Sequence, residues 1–454
     1  MYALPGLLLL VFVDYVRPQE YFLALQAVPL LYVATGLTAL GIVLDLRLGI
    51  SRLRAAPHLW LAILFVAWSL LTLVVRAPGE LLERMPSLLI PFAVYLLVAQ
   101  AVQNFKSLQV LSGLLLAIGL GLAVVGVHQA TAPYGCHRVI QERGHTGQVF
   151  DGRACEPEVR LSCEDDSAEP GEDYRCERIG LLGTSTIRGR VRYKGTLEDP
   201  NELALVVGMA LPFAFAFFDR RATLARLLLV ALAIGLIGAC IYFTQSRGGP
   251  LVFLTVLAVY FVTRYGIKRG LVTGLALTLP ILIFGGRSGG ESSTEQRTEA
   301  WWTGLHMFQA SPGFGVGAGR FIEHHDLTAH NSLVLAAAEL GTPGLLLFAS
   351  ILYLAVKVSL QALRSEVAPV ARSWALALLA STSGLLVGSF FLSFVYKNAL
   401  WIQVGMTGAL HQAIRLHAPD FEVKFGTRDL AAVAIIVGLL LVTLVGYTGL
   451  KMGW

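Results

Sequence analysis

The sequence predicts an all-α polytopic integral membrane protein with about 12–14 transmembrane helices and two large external loops, and three observations predict it. Of the 454 residues 55% are hydrophobic and only 14% charged, and the mean hydropathy of +0.66 is far from the balance of a soluble domain. Apolar runs of roughly 17–25 residues, long enough to cross a hydrocarbon core, recur along nearly the whole length. Lysine and arginine gather in alternate connecting loops, as they do in a chain threaded repeatedly through a bilayer.

The expected spans, in order, are 2–13, 22–43, 57–75, 86–103 and 108–128, then 201–218, 225–243, 248–263 and 270–285, and finally 342–360, 372–395, 398–415 and 429–449. The first is short, but it has neither a basic leader nor a small-residue cleavage site, so it reads as retained rather than as a signal peptide. Basic residues at Arg47, Arg52 and Arg54, at Lys106, and at Arg220, Arg221 and Arg226 fall on one side. Those at Arg264, Lys268 and Arg269, at Lys357, Arg364 and Arg372, and at Arg415, Lys424 and Arg428 fall on the same side, which makes it cytoplasmic and the N-terminus with it. The chain then divides into N-terminal helices (1–128), an external loop (129–200), central helices (201–285), a second external loop with short helices (286–341) and C-terminal helices (342–454).

The first external loop holds Cys136, Cys155, Cys163 and Cys176, while Cys240 sits alone in an apolar span. Four cysteines in an oxidising compartment imply two disulfides, with three pairings open; a zinc site is the rival reading, although C-x-x-C is absent. The net charge of +5 is shared between topology-setting loops and external segments, and nothing in it has a nucleic-acid signature. The acidic stretch DGRACEPEVRLSCEDDSAEPGEDYRCE (151–177) reads as a disulfide-stapled surface insertion.

The polar side chains that carry chemistry lie in these loops. Arg188, Arg190, Arg192 and Lys194 alternate before the next span, so an extended chain puts them on one face, and positive charge on the external side points to an anion. In DPNE, Asp199 is the expected N-cap, Pro200 the first helical residue and Glu202 the third member of a capping box; capping leaves Asn201 unexplained. Arg247 stands between two apolar spans with almost no loop around it, and a guanidinium there suits bidentate contact with a diphosphate at the interface. Residues 298–309 read as a short amphipathic helix with Trp301 and Trp302 at a membrane interface and Arg297 near its start. The segment GFGVGAGRF resembles a phosphate loop only superficially, since it follows no strand and lacks the lysine.

His324, His325, Asp326 and His330 raise the question of a metal, but consecutive histidines diverge and H-E-x-x-H is absent. Residues 330–340 read as a short helix capped by Thr328 and closed by Gly341, with Pro343 opening the span. His330 in the first turn of such a helix is held neutral by the dipole and able to act as a general base.

Taken in order, GTLEDPNELA, TQSRGG, RTEAWW, SPGFGVGAGRF and AHNSLVLAAAELGTPGLLLF resemble the family of O-antigen ligases and Wzy-type polysaccharide polymerases, over roughly residues 185–350. The first 130 residues and the last hundred match only as generic spans, and the cysteine insertion departs from the family pattern. The resemblance implies a GT-C-like, metal-independent, inverting glycosyltransferase of the bacterial inner membrane, with its active site on the periplasmic face and no cofactor. Its implied donor is an undecaprenyl-diphosphate-linked glycan, and its acceptor a lipid-linked repeat or lipid A-core. Membrane lipids and a chain-length regulator are further implied partners; nucleic acid is not. Carried over by motif, His330 is the base, Arg247 with Arg190 or Arg192 binds the diphosphate, and Arg297 supports them, with Asn331, Asn201, Asp326 and Arg320 in supporting positions. The length of the chain and its elaborated loop favour a polymerase, with a ligase as the alternative and a lipid-oligosaccharide flippase as the alternative from another class.

Overall fold

The computed structural model describes residues 1–142, 145–155, 163, 173–284 and 291–452, over which the chain is mostly helical. The helices are α1 (Ala3–Val16), α2 (Leu23–Gln26), α3 (Leu30–Arg47), α4 (Leu59–Arg76), α5 (Leu81–Ala101), α6 (Phe105–Thr131), α7 (Pro200–Arg220) and α8 (Leu224–Phe243). They continue as α9 (Gly248–Tyr265), α10 (Ile267–Phe284), α11 (Glu291–Ala310), α12 (Ser332–Arg364), α13 (Pro369–Phe391), α14 (Asn398–Arg415) and α15 (Thr427–Met452). Among the described residues ten of them, α3 to α9 with α12, α13 and α15, are long and apolar enough to cross a membrane. The protein is a multi-pass, all-α membrane protein in its body.

The remaining three expected spans correspond to α1, which is apolar but has only 14 residues, and to α10 and α14. Residue 285, the expected end of the α10 span, lies outside the described residues. Two boundaries differ from expectation. The run at 22–43 is broken by Pro29, which has no N–H to continue a helical ladder, so only α3 is long. The span expected at 342–360 is the second part of α12, which begins at Ser332 and is interrupted by the left-handed Gly341 (φ 66°).

The centre of the bundle is built by α7, α13 and α14. Residues Leu203 to Ala216 of α7 and Leu400 to Ile414 of α14 are buried without interruption. Helix α14 carries Gln403, Thr407, His411 and Gln412, and a polar helix survives there because it finds partners inside: Gln403 donates to Thr382 Oγ1 at 2.9 Å and Gln412 to the Arg54 carbonyl at 3.2 Å.

The polar stretch after α6 holds a three-stranded antiparallel sheet of β1 (Tyr134–Glu142), β2 (His145–Ala154) and β3 (Asp173–Arg178), in the order β2-β1-β3. Cys136 pairs with Cys163 and Cys155 with Cys176, which selects one of the three pairings and corrects the zinc alternative, because the sulfurs are spent on each other. The sheet is fixed to the bundle where Arg178 donates to the Ala132 carbonyl at 2.7 Å at the end of α6.

Candidate functional site

Helix α12 carries His330 at its entrance. Asn331, not Thr328, is the N-cap: its side-chain oxygen accepts from the N–H groups of Leu333 (2.9 Å) and Val334 (3.1 Å). His330 therefore precedes the helix instead of lying in its first turn, and its backbone is left-handed (φ 47°). That conformation strains a non-glycine residue and must be held by its surroundings. Ser332 supplies part of the hold, donating to the Leu392 carbonyl at 2.6 Å and accepting from Phe394 N–H at 2.9 Å.

The glycine-rich segment secures the other end of this half-helix. At the break, the Ala338 carbonyl accepts from Val316 N–H (2.9 Å), the Glu339 carbonyl from Gly317 N–H (3.0 Å) and the Leu340 carbonyl from Trp68 Nε1 (2.8 Å). The buried Glu339 carboxylate accepts from Gly319 N–H (2.8 Å), Phe321 N–H (2.9 Å) and the Tyr396 hydroxyl (2.9 Å). Residues 313–321 thus cap a helix with the amides that a phosphate loop would offer to a ligand. Gly341 packs so close to the Gly313 carbonyl that a Cβ there would collide with it.

The basic segment after the sheet does not present a single face. Arg188 and Gly189 both have positive φ and form a two-residue hairpin closed by reciprocal hydrogen bonds between Ile187 and Arg190. The Glu177 carboxylate holds this turn, accepting from Thr186 Oγ1 at 2.6 Å and Gly189 N–H at 3.1 Å as well as from Arg188 N–H. Beyond it the side chains diverge. Arg190 donates to the Thr244 carbonyl (2.9 Å) and to Asn201 Oδ1 (3.1 Å). Arg192 is buried and donates to the Ser185 carbonyl at 3.1 Å. Lys194 lies 4.4 Å over the Tyr21 ring.

At the start of α7, Asp199 caps Asn201 N–H at 2.8 Å and also accepts from the Asn201 side chain at 2.7 Å, with Pro200 in the first turn as expected. The capping box is not completed. Glu202 turns to Lys397, 3.1 Å away in the connection between α13 and α14.

Arg247 stands exposed at the N-cap of α9 and donates to Thr294 Oγ1 at 2.6 Å. Helix α11 begins at Glu291, well before the expected Thr298, so Arg297 is within the helix and one turn beyond Thr294 on the same face. Trp301 is buried, its ring 5.7 Å from Phe390 and 6.1 Å from Tyr447, which makes it an anchor of α11 to α13 and α15.

Hydrogen bonds and charge effects link these residues. Arg247 reaches Thr294; Arg297 follows one turn along and acts electrostatically on His330, as does Asp199; Asp199 holds Asn201, Asn201 holds Arg190, and Arg190 also donates to the Thr244 carbonyl, three residues before Arg247. The half-buried His330 ring has its pKa lowered, first by burial and next by the Arg297 charge, with Asp199 opposing and His325 adding to the fall. Burial, and not the helix dipole expected from the sequence, is the main cause of that lowering.

Of the other expected residues, Asp326 is exposed, and Asp199 is the carboxylate that acts on His330. His324 is exposed, while His325 Nδ1 is engaged by Leu327 N–H at 3.0 Å. Among the described residues, the only converging group of metal-ligand type is Cys136, Cys155 and Cys163. Arg320 belongs to a separate network, 2.7 Å from Glu323, which Arg84 also pairs; this depresses the Glu323 carboxyl and raises the Arg320 pKa. The buried Asn331 amide nitrogen has no partner among the described residues. Sequence reasoning missed Asp199 as a neighbour of His330, because capping explained it already. It also missed Lys397, whose signal was a lysine on the side that the other basic loops avoid.

Residues 229–349 match the family model Wzy_C, described as O-Antigen ligase. The match runs from within α8 into the second part of α12, and so takes in Arg247, Arg297, His330 and the glycine-rich cap, while Arg190 and Asp199 precede it. No curated protein matches the chain.

Proposed function

We propose, from the O-antigen ligase domain at residues 229–349, that the protein is a glycosyltransferase which moves a glycan from an undecaprenyl diphosphate to a sugar hydroxyl at the periplasmic face of the bacterial inner membrane. One observation carries the reading: His330, whose pKa is lowered by burial and by the Arg297 charge, also feels Asp199, which holds Asn201 and through it Arg190, while Arg247 is held by Thr294 one turn from Arg297. His330 accepts the proton of the acceptor hydroxyl as its oxygen attacks the anomeric carbon. The bond from that carbon to the diphosphate oxygen breaks, and lipid diphosphate leaves with the electron pair, giving inversion. The leaving group is already ionised, so it calls for fixed positive charge rather than a proton donor.

Arg247 and Arg190 are the diphosphate ligands in this scheme: Thr294 orients the first, and Thr244 and Asn201 orient the second. Arg192 is given a structural part, since it is buried against Ser185. Arg297 keeps His330 neutral and adds charge, Asp199 orients the imidazole, Asn201 positions Arg190, and the unpaired Asn331 amide is available to a substrate oxygen. Arg320 and Asp326 support the loop around the site.

The disulfide-stapled sheet between α6 and α7 favours a polymerase that reads a particular repeat unit, and the description of the matched family favours a ligase. Incubating purified protein with a defined lipid-linked repeat, with and without lipid A-core, tests both. A ladder without core means polymerase and glycan joined only to core means ligase. No new glycosidic bond in either case contradicts the proposal, and transbilayer movement without bond formation identifies a transporter.

A further inference from the structure

At the end of the bundle opposite His330 there is a cavity of about 670 Å³, between the last turns of α9 and α12 and the first turns of α13. Helix α9 leads from Arg247 to it, and Arg264, 17 residues beyond Arg247, is roughly 25 Å away at the helical rise, so the two places are separated by most of a hydrocarbon core. Arg264, Arg364 and Arg372 line it. Asp219 is the one carboxylate among the lining residues, and it is partly committed: it accepts from the Tyr260 hydroxyl at 2.5 Å and lies 3.6 Å from Arg264. Arg364 and Arg372 have no acidic partner among the described residues. The other walls are apolar, with Leu360, Leu363 and Leu376.

Three guanidinium groups against one carboxylate leave an excess of positive charge in a concave site whose volume is within the range of ligand pockets. Two hydroxyls, Thr263 and Ser373, add hydrogen-bond donors beside the arginines. Guanidinium forks match phosphate oxygens bidentately, and a leucine wall next to them suits the start of an acyl chain. Basic pockets between helices at the membrane surface bind phosphate headgroups for this reason.

We propose that this cavity is a binding site for a phosphate-bearing anion, held by Arg264, Arg364 and Arg372 and distinct from the transfer site. Two sources share that chemistry, an anionic phospholipid headgroup and free inorganic phosphate. The full chain, purified in an uncharged detergent, is tested with short-chain phosphatidylglycerol, with phosphatidylcholine and with inorganic phosphate, reading retained adducts by native mass spectrometry and thermal stability in parallel. The comparison is with Arg364→Gln/Arg372→Gln and with Arg428→Gln as an exposed arginine outside the cavity. All three replaced side chains are exposed, and Arg364→Lys/Arg372→Lys keeps the charge as a further check on folding.

The lipid form predicts tighter retention of phosphatidylglycerol than phosphatidylcholine. It also predicts a loss of at least about tenfold in apparent affinity in the double glutamine variant, with no change in Arg428→Gln. The free-anion form predicts that phosphate stabilises the parent and not the double variant, with the two lipids equal. Equal binding of every probe by the parent and the double glutamine variant overturns the proposal.

Discussion

Arg190 donates to the Asn201 side-chain oxygen at 3.1 Å, and this bond joins the segment after the cysteine sheet to the start of α7, where the Asp199 charge acts on His330. The residues of the proposed site come from five stretches of chain: the segment holding Arg190, the start of α7, the start of α9, helix α11 and the entrance of α12.

Arg247 and Arg190 are predicted to need their fork as well as their charge. Arg247→Lys and Arg190→Lys each remove one of two parallel donors to phosphate, and transfer should fall by about tenfold to a hundredfold, the worth of a charge-assisted hydrogen bond. Steady-state rates with a lipid-linked donor measure it. Full activity in both lysine variants would show that point charge is sufficient.

The acid limb of the pH–rate profile should lie below the ordinary histidine value of about 6.5, because burial and Arg297 lower the His330 pKa. Protonation removes the base, so the rate is retained as pH falls through that value and lost only at lower pH. Arg297→Gln should move the limb to higher pH and Asp199→Asn to lower pH, since one removes a repelling charge and the other an attracting one. Because folding lowers this pKa, His330 also makes the protein less stable as pH falls below the unfolded value, where only the unfolded chain takes up the proton. Limbs that coincide in all three proteins would detach Arg297 and Asp199 from His330.

The entrance of α12 is predicted to depend on its glycine-rich cap. Glu339→Gln puts a donor in place of one of two accepting oxygens, facing either Phe321 N–H or both Gly319 N–H and the Tyr396 hydroxyl, and should cost about 1–3 kcal/mol. Gly341→Ala meets both a left-handed backbone and the Gly313 carbonyl, and should cost more than 1 kcal/mol or so. Denaturation of each variant gives the stability. Parent-like stability in both would mean that the break at Gly341 tolerates a different packing.

Much of this arrangement was legible in the sequence. Gly341 and Pro343 marked the break in α12 because local chemistry ends a helix there, and Arg247 stood out because a charge beside two apolar spans is costly. The N-cap was displaced from Thr328 to Asn331, since both residue types cap well and tertiary contacts through Ser332 chose between them. The three-stranded sheet was not legible, because its register is fixed by pairings and disulfides distant in sequence. Arg190 and Arg192 were indistinguishable for a similar reason: the hairpin at Arg188 and Gly189 and the Ser185 contact decide which way each side chain goes.

The sheet itself should be a separable requirement. Replacing Cys155 and Cys176 by serine removes a link across 21 residues and should destabilise the folded chain by about 3 kcal/mol. Peptide mapping without reduction should recover Cys136 joined to Cys163 and Cys155 to Cys176. Recovery of any other pairing would contradict the disulfide connectivity that staples the sheet.

The central claim concerns His330, and the most direct measurement is single-turnover transfer by His330→Asn beside binding of the same lipid-linked donor. Asparagine tolerates the left-handed backbone that His330 adopts, so this variant removes the base while keeping the turn. The account predicts donor binding close to the parent's and a loss of transfer of about a hundredfold to ten-thousandfold. Transfer at the parent's rate by a variant that binds donor normally would contradict it.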